Sequence, residues 1–323
     1  MAVKNSQSGI ALLIVLWVLT ILMVIVFSFS VMTRGEAQGL VSFKEGLEKK
    51  FLAESGINRG IMEIIYRSVN LYQVAFEGRE VWRLDGTPYQ VSMGHDRYQV
   101  RIMNERGKLS LNSMTDASGI ILKNLLVNRG VAPETADVIV DSILDWKDPD
   151  DLHRLNGTEN DYYLSLPKPY KARNASFETL EELIYVRGMT PELLYGEDQK
   201  KGLIHFLSIA GTDPSISLNE APREILAALP GMDAEKAQQL VEFRAAMEIR
   251  SLEDVKDILG ESYQLMAPYV TASAEGGTSV FSIEATGYKT NRKSGYTIHA
   301  TVAFDGPQRY YYRYYKSPAE MTP

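Results

Sequence analysis

The chain has 323 residues, with 34 basic and 41 acidic side chains, a formal net charge of −7 and no cysteine. That length allows two ordinary domains or one with a large insertion, and 45% apolar with 23% charged residues describes a folded protein. The acidic balance argues against a nucleic-acid scaffold. The absence of cysteine excludes disulfides, thiolate metal sites and a cysteine nucleophile. Outside the cytoplasm, such a chain draws its stability from core burial or bound ions. His95, His153, His205 and His299 are scattered, and there is no G-x-S-x-G, P-loop or G-x-G-x-x-G pattern, which counts against an enzyme.

From Ile10 to Met32 there is no Asp, Glu, Lys, Arg or His. At about 1.5 Å per residue, this run spans a hydrocarbon core of about 30 Å as a helix. Lys4 and the amino terminus precede it, and Arg34, Lys44, Lys49 and Lys50 follow, interleaved with Glu36, Glu45 and Glu48. This predicts a single-pass membrane protein with a cytoplasmic N-terminus and the bulk of the chain outside. A cleaved secretory signal fits less well, because the run is long for an h-region and no small-x-small site follows it. Processing is expected instead at Gly9-Ile10, which defines a leader over 1–9 and leaves the membrane segment 10–32 on the mature chain. This arrangement resembles a type IV prepilin leader. Most proteins of that class carry Glu at the fifth mature position, where Ile14 stands here. A carboxylate inside the bilayer is costly unless paired, so its absence suggests a subunit with no partner ahead of it.

Beyond the span, Leu40, Phe43, Leu47, Phe51, Ile57, Ile61, Ile64 and Ile65 keep a mostly three- and four-residue spacing. One helix over 10–67 is expected, with bends near Gly35, Gly39, Gly46, Gly56 and Gly60. Residues 68–108 change period, with Tyr89, Val91, Met93 and then Tyr98, Val100, Ile102 alternating with polar neighbours. Alternation returns only in 276–318, through Tyr296, Ile298, Ala300, Val302 and Phe304 and a last strand over Tyr310–Tyr315, read as an aromatic edge. Ser317–Pro323 are expected to fray. Strands on both sides of a long middle predict an α+β head: one sheet with a domain, 109–275, inserted into it.

That middle contains an internal repeat, 109–195 and 216–270. Leu109-Ser110-Leu111-Asn112 matches Ile216-Ser217-Leu218-Asn219, Gly130–Val140 aligns without a gap on Gly231–Val241, and Thr179–Leu183 matches Ser251–Val255. Each repeat reads as an Asn N-cap, a helix, a Gly turn, a second helix and a Ser/Thr-capped third. These are helix-hairpin-helix-like, or SAM-like, units. In hairpins that bind DNA, a Gly-hydrophobic-Gly turn brings backbone N–H groups to phosphate; the third position here is Ala132 or Asp233, so a packing module is favoured over a DNA receptor.

The repeats differ by an acidic loop, 145–178, which opens Asp145-Trp146-Lys147-Asp148-Pro149-Asp150-Asp151. Clustered carboxylates need a cation or full solvation. Calcium, with six to eight oxygen ligands and tolerance of irregular loops, suits Asp148, Asp150, Asp151, Glu159, Asp161 and Asn174, although the spacing is not that of an EF-hand. From residues alone, metal and solvated loop weigh equally. Asn156-Gly157-Thr158 and Asn174-Ala175-Ser176 match the glycosylation pattern, which short stretches meet by chance.

Gly9-Ile10 without the Glu, Gly107–Asn112, Asp145–Asp151, Asn156–Glu159 and Leu180–Met189 together resemble the general secretion pathway protein K family of type II secretion minor pseudopilins. The resemblance implies a pseudopilin fold with a large helical insertion, processing and N-methylation by the prepilin peptidase, and calcium in the insertion. It further implies an inner-membrane anchor with a periplasmic head and a non-enzymatic place at the pseudopilus tip with the I and J minor pseudopilins, above the major pseudopilin, with no nucleic acid. The alternatives are a type IV pilus minor pilin, a membrane-tethered DNA receptor and, more remotely, a membrane-bound hydrolase.

Overall fold

The computed structural model describes residues 8–70, 75–76, 79–197, 200–211, 213–272, 279–290, 294–306 and 309–319. Residues 1–7, most of the expected leader, and the last residues, 320–323, lie outside the described residues.

Helix α1 (Ser8–Val69) is one continuous element of 62 residues, about 93 Å long at 1.5 Å per residue. Its early part is apolar, with a mean hydropathy of 3.3 over the best window and nothing buried there. The expected glycine bends do not break it. Gly56 and Gly60 instead set how closely it approaches the sheet: a Cβ on Gly56 would lie 2.9 Å from Ala285 Cβ, and one on Gly60 3.0 Å from Ile283 Cγ2. Packing offsets the roughly 1 kcal/mol that each glycine costs a helix.

After α1 come strands β1 (Asp85–Met93) and β2 (Asp96–Asn104). The chain then enters its helical part through β3 (Leu109–Ser110), α2 (Gly119–Asn128), α3 (Pro133–Lys147) and α4 (Asn160–Ser165). It closes the first repeat with β4 (Leu207–Ser208), parallel to β3. The second repeat runs from β5 (Ile216–Ser217) through α5 (Arg223–Leu226) and α6 (Ala234–Ala246) to β6 (Val270–Thr271), parallel to β5. Gly130 and Gly231 take positive φ, 94° and 77°, at the matching turns, where a side chain would be strained. Backbone N–H of Thr179 bonds Glu182 at 3.1 Å, and that of Ser251 bonds Asp254 at 3.0 Å, so both repeats carry the same capping box. A single apolar core joins them, with Ile121, Leu125 and Ile143 in the same cluster as Ile225, Leu240 and Val255.

Asn112 and Asn219 do not cap the helices that follow them, contrary to the sequence reading. Each lies two residues beyond its short strand and several before the next helix begins, and its amide is taken by backbone brought from the far side of its own repeat. Asn112 accepts from Phe177 N at 2.8 Å and donates to Phe177 O and Ile209 O. Asn219 accepts from Ile249 N at 3.0 Å and donates to Ile249 O and Ala272 O. Capping falls elsewhere: Asp233 Oδ1 accepts from the backbone N–H groups of Glu235 and Lys236 at 2.9 and 2.8 Å, starting α6.

The chain then returns to the sheet through β7 (Ser279–Tyr288), β8 (Tyr296–Phe304) and β9 (Tyr310–Ala319). The order is β9-β8-β7-β2-β1, antiparallel throughout, with Ile102 opposite Ile283 and Ile283 opposite Ala300. Period-two alternation puts Val100, Ile102, Ile283, Ile298 and Val302 on one face, against Ala53, Ile57, Ile61 and Ile64 of α1. The architecture is therefore a long apolar helix laid on an antiparallel sheet, with a helical body between strands two and three of the five.

Buried ion pairs fasten that body to the sheet and to α1. Arg67 meets Glu248 at 2.8 Å. Arg244 donates to Leu218 O and Ala221 O, each at 2.7 Å, and lies 3.4 Å from Asp85, which also pairs with Arg83 at 2.9 Å. Buried Glu105 accepts from Lys108 and Ser282, both at 2.6 Å. Its carboxyl stays below the ordinary range because these partners outweigh the burial that acts against it.

Candidate metal centre

The amphipathic repeat of α3 creates the site. Asp141, Asp145 and Asp148 stand at i, i+4 and i+7, on one helix face at the end of α3. Lys147 is held in the opposite direction: its ammonium donates to the carbonyls of Leu111, Asn112 and Met114 at 2.9, 3.1 and 2.5 Å. Burial is the main cause of its lowered pKa. Trp146 stands edge-on to Tyr163 at 5.1 Å, and Tyr163 packs on Tyr170 at 5.4 Å, so the loop folds back over an aromatic floor.

The returning loop then closes on α3. Asn156 donates twice to Asp141, through its backbone and side-chain nitrogens, each at 3.0 Å. Gly157 lies so close to Asp145 that a Cβ there would collide with its carboxylate. Arg154 donates to Asp145 and Asp148, each at 2.7 Å, and reaches Asp116 at 2.7 Å with its Nε. Glu159, 2% exposed, comes down beside Asp145, 0% exposed. One oxygen from each of Asp145, Asp148 and Glu159 lies within 4.8 Å of the others.

One arginine does not satisfy this cluster. Asp148 Oδ1, both carboxylate oxygens of Glu159 and Asn174 Oδ1 are buried without a hydrogen-bond partner. Glu159 is pushed up to about 7, first by burial and then by the charges of Asp145, Asp148, Asp151 and Asp150. Asp145 is also raised, burial outweighing Arg154. Buried, unpaired oxygens of like charge are the donor set a hard cation uses. Asn174 sits at φ 48°, a left-handed conformation that Asn tolerates. Its backbone N–H bonds Trp146 O at 2.9 Å, and its side-chain nitrogen bonds Asp150 O at 3.1 Å, which ties it to the rim.

Of the residues singled out in the sequence, Asp148 and Glu159 meet in the cluster and Asn174 borders it with a free buried oxygen. The other three turn outward. Asp150 caps the backbone of Leu152 at 2.8 Å, Asp151 accepts from Asn160 at 2.8 Å, and Asp161, exposed at the start of α4, accepts from the N–H of Tyr162. Asp145 is not among the sequence candidates: the acidic run reads as a loop from Asp145 onward, whereas α3 continues to Lys147 and carries Asp145 on its inner face. Its spacing of four from Asp141 and three from Asp148 is the signal that finds it. The loop also contains α4, so it is not structureless.

A family model described as "Type II secretion system (T2SS), protein K" matches residues 106–195, the stretch that holds this cluster. The type II secretion system protein K of Pseudomonas aeruginosa is 24% identical over 265 residues, 78% of this chain and 76% of that one. The protein K of Pectobacterium carotovorum is 26% identical over 271 residues, covering 77% and 79%. Among solved structures, a chain of the GspK-GspI-GspJ complex from enterotoxigenic Escherichia coli matches with a TM-score of 0.60 and 16% identity, over 88% of this chain and 100% of that one. The likeness in fold extends over both the helix-on-sheet part and the helical body, and in sequence the chain is similar to type II secretion system protein K, through the family model over residues 106–195 and through these relatives.

Proposed function

We propose that this chain is a non-enzymatic minor pseudopilin, placed at the tip of a type II secretion pseudopilus, that helps start pseudopilus assembly and export across the outer membrane. The observation that carries this reading is the continuity of α1. The same unbroken helix is bare and apolar at its start and packed under the sheet at its end. An anchor of that kind transmits a push or a rotation to the head without a hinge. The head then carries an extra helical body fixed by buried ion pairs, which adds bulk at a filament end. Ile14, where the resembled class carries a carboxylate, suits a subunit with nothing ahead of it. The structurally similar chain was solved in a GspK-GspI-GspJ complex; the corresponding partners here are minor pseudopilins of the I and J type, with a major pseudopilin below. Processing is at Gly9-Ile10 by a prepilin peptidase, with the head on the periplasmic side.

Calcium belongs to the same proposal. Asp145, Asp148, Glu159 and Asn174 are the residues that would hold it, and the ion would supply the positive charge that Arg154 alone does not. Its role is structural: it fixes the acidic loop against α3. The DNA-receptor reading has little support, because Asp233 already occupies the N–H groups at the start of α6 and places a carboxylate where phosphate would have to sit.

The test is genetic. Deleting the chain from a strain with a type II system should stop export of that system's cargo, and the wild-type chain should restore it. Unimpaired export in the deletion strain would overturn the proposal.

A further inference from the structure

Asn156-Gly157 is the chain's one Asn-Gly pair. In a flexible peptide this pair is chemically short-lived. The glycine backbone nitrogen attacks the side-chain carbonyl carbon of Asn, the bond from that carbon to the amide nitrogen breaks, and ammonia leaves behind a cyclic succinimide. Water then opens the ring at either carbonyl. The product is Asp, or isoAsp with the backbone rerouted through the side chain. Glycine favours the first step because it has no Cβ to hinder the attack or the backbone rotation that precedes it.

The fold needs both members of the pair. A Cβ on residue 157 would overlap the carboxylate of buried Asp145, with its Cγ 2.8 Å away, and would lie 3.2 Å from Arg154 N. Only glycine fits there. Residue 156 supplies two donors to one carboxylate oxygen, since its backbone and side-chain nitrogens each lie 3.0 Å from Asp141 Oδ2. An aspartate at 156 would have no side-chain donor for Asp141 and would face it with like charge.

The same contacts withhold both reacting groups. The attacking nitrogen is engaged, because Gly157 N–H donates to Arg154 O at 3.1 Å. The departing amide is held by Asp141. Arg154 is itself pinned by Asp116, Asp145 and Asp148, each at 2.7 Å. On the far side the chain is anchored by buried Thr158 and Glu159.

We infer that Asn156 is a deamidation site gated by the acidic loop: closed on α3, the loop blocks the reaction, and opening it commits Asn156 to a one-way change. Water is the only co-reactant and ammonia the only by-product. The product does not fit back. Asp at 156 sets a second carboxylate against Asp141, and isoAsp lengthens the backbone by a methylene beside Gly157, where Asp145 leaves no room. Deamidation therefore makes a passing opening permanent and marks chains whose carboxylate cluster has come apart. Loop closure sets the gate, and the proposed calcium enters only as one means of holding the loop shut.

Peptide mapping by mass spectrometry reads the exchange of NH2 for OH at Asn156 directly, on the full-length chain in detergent at mildly alkaline pH. Conversion in urea gives the rate for an open loop. In the folded wild type it should be slower by on the order of tenfold or more, as for a segment that reacts only when it opens locally. Arg154→Ala, which unpins the loop, should bring the folded rate close to the urea rate, and chelation should do the same where calcium holds the loop. Asn174, in the same loop but followed by Ala175, should stay intact in every folded sample. Equal rates at Asn156 in folded and unfolded wild type would overturn the inference, as would a folded Arg154→Ala that converts no faster than wild type. A faster Arg154→Ala beside an ineffective chelator would support the gate and count against calcium. Asn156→Asp, made directly, should melt below the wild type; an unchanged melt would overturn the one-way step.

Discussion

Asn112 and Asn219 make the same three hydrogen bonds in two different repeats, each clasping a peptide group of a returning segment and the carbonyl of a second one. Each short parallel pair, β3 with β4 and β5 with β6, lacks the length to hold itself, and the side-chain amide extends the ladder by one rung. Replacing Asn219 by Leu strands the N–H and C=O of Ile249 in a buried place, at about 1–3 kcal/mol for each unsatisfied group. Urea unfolding of the detergent-solubilised protein should show a lower midpoint for Asn219→Leu, and a smaller drop for the less buried Asn112→Leu. Asn219→Asp should also destabilise, because a carboxylate cannot donate to Ile249 O and Ala272 O.

This role shows where sequence reading stops. An Asn ahead of a helix looks like an N-cap, since the cap rule uses only local order; the partners of Asn219 lie 30 and 53 positions away. Periodicity, by contrast, is local, and it located α1 and the faces of Tyr98–Ile102 and Ile298–Phe304. The glycine pair at Gly56 and Gly60 was read for its local cost, while its value lies in contact with Ala285 and Ile283, more than 200 residues further on. In the acidic loop the gathering of carboxylates was legible, but which of them share the buried cluster was legible only in part. Asp150, Asp151 and Asp161 share the composition of the cluster and differ in where the backbone aims them.

Removing the proposed calcium should loosen the first repeat. Chelation is expected to lower the melting temperature, and added calcium should restore it, with the gain set by RT ln(1 + [L]/Kd). Glu159→Ala and Asp148→Ala should remove that response, whereas Asp161→Ala should retain it. Terbium excited through Trp146, close to Asp145 and Asp148 in sequence, should luminesce in the wild type and lose most of that signal in Glu159→Ala. A melt indifferent to chelator would rule out a structural ion.

Arg244 is the most demanding side chain at the junction. It is 5% exposed, it feeds two carbonyls, and its pKa is depressed to about 10 by burial despite the nearby Asp85. Arg244→Met leaves Leu218 O, Ala221 O and part of Asp85 without partners, and should cost about 3–5 kcal/mol. Asp233→Ala, which removes only a helix cap, should cost about 1 kcal/mol. Denaturation midpoints that rank the two variants the other way would show that the junction is not held as described.

His205 and His299 make the same junction sensitive to acid. Both are pushed down to about 4, first by burial and then by the charge of Lys108. Lys201 and Arg101 add to the repulsion at His205 and Lys316 at His299, with Glu105 the opposing charge on the sheet side. A histidine whose pKa is lower folded than unfolded favours the native state when neutral. Its contribution is complete above pH 6.5 and is lost as the pH falls toward 4. The depression amounts to on the order of 3 kcal/mol for each ring at about 1.4 kcal/mol per pH unit, and less for the pair if the rings interact. Stability should therefore decline from pH 6.5 downward more steeply in the wild type than in a His205→Gln, His299→Gln variant. Carboxylates titrate in the same range in both proteins, so the difference between the two curves isolates the histidines. Parallel curves would mean that the two rings protonate in the folded protein as readily as in the unfolded chain.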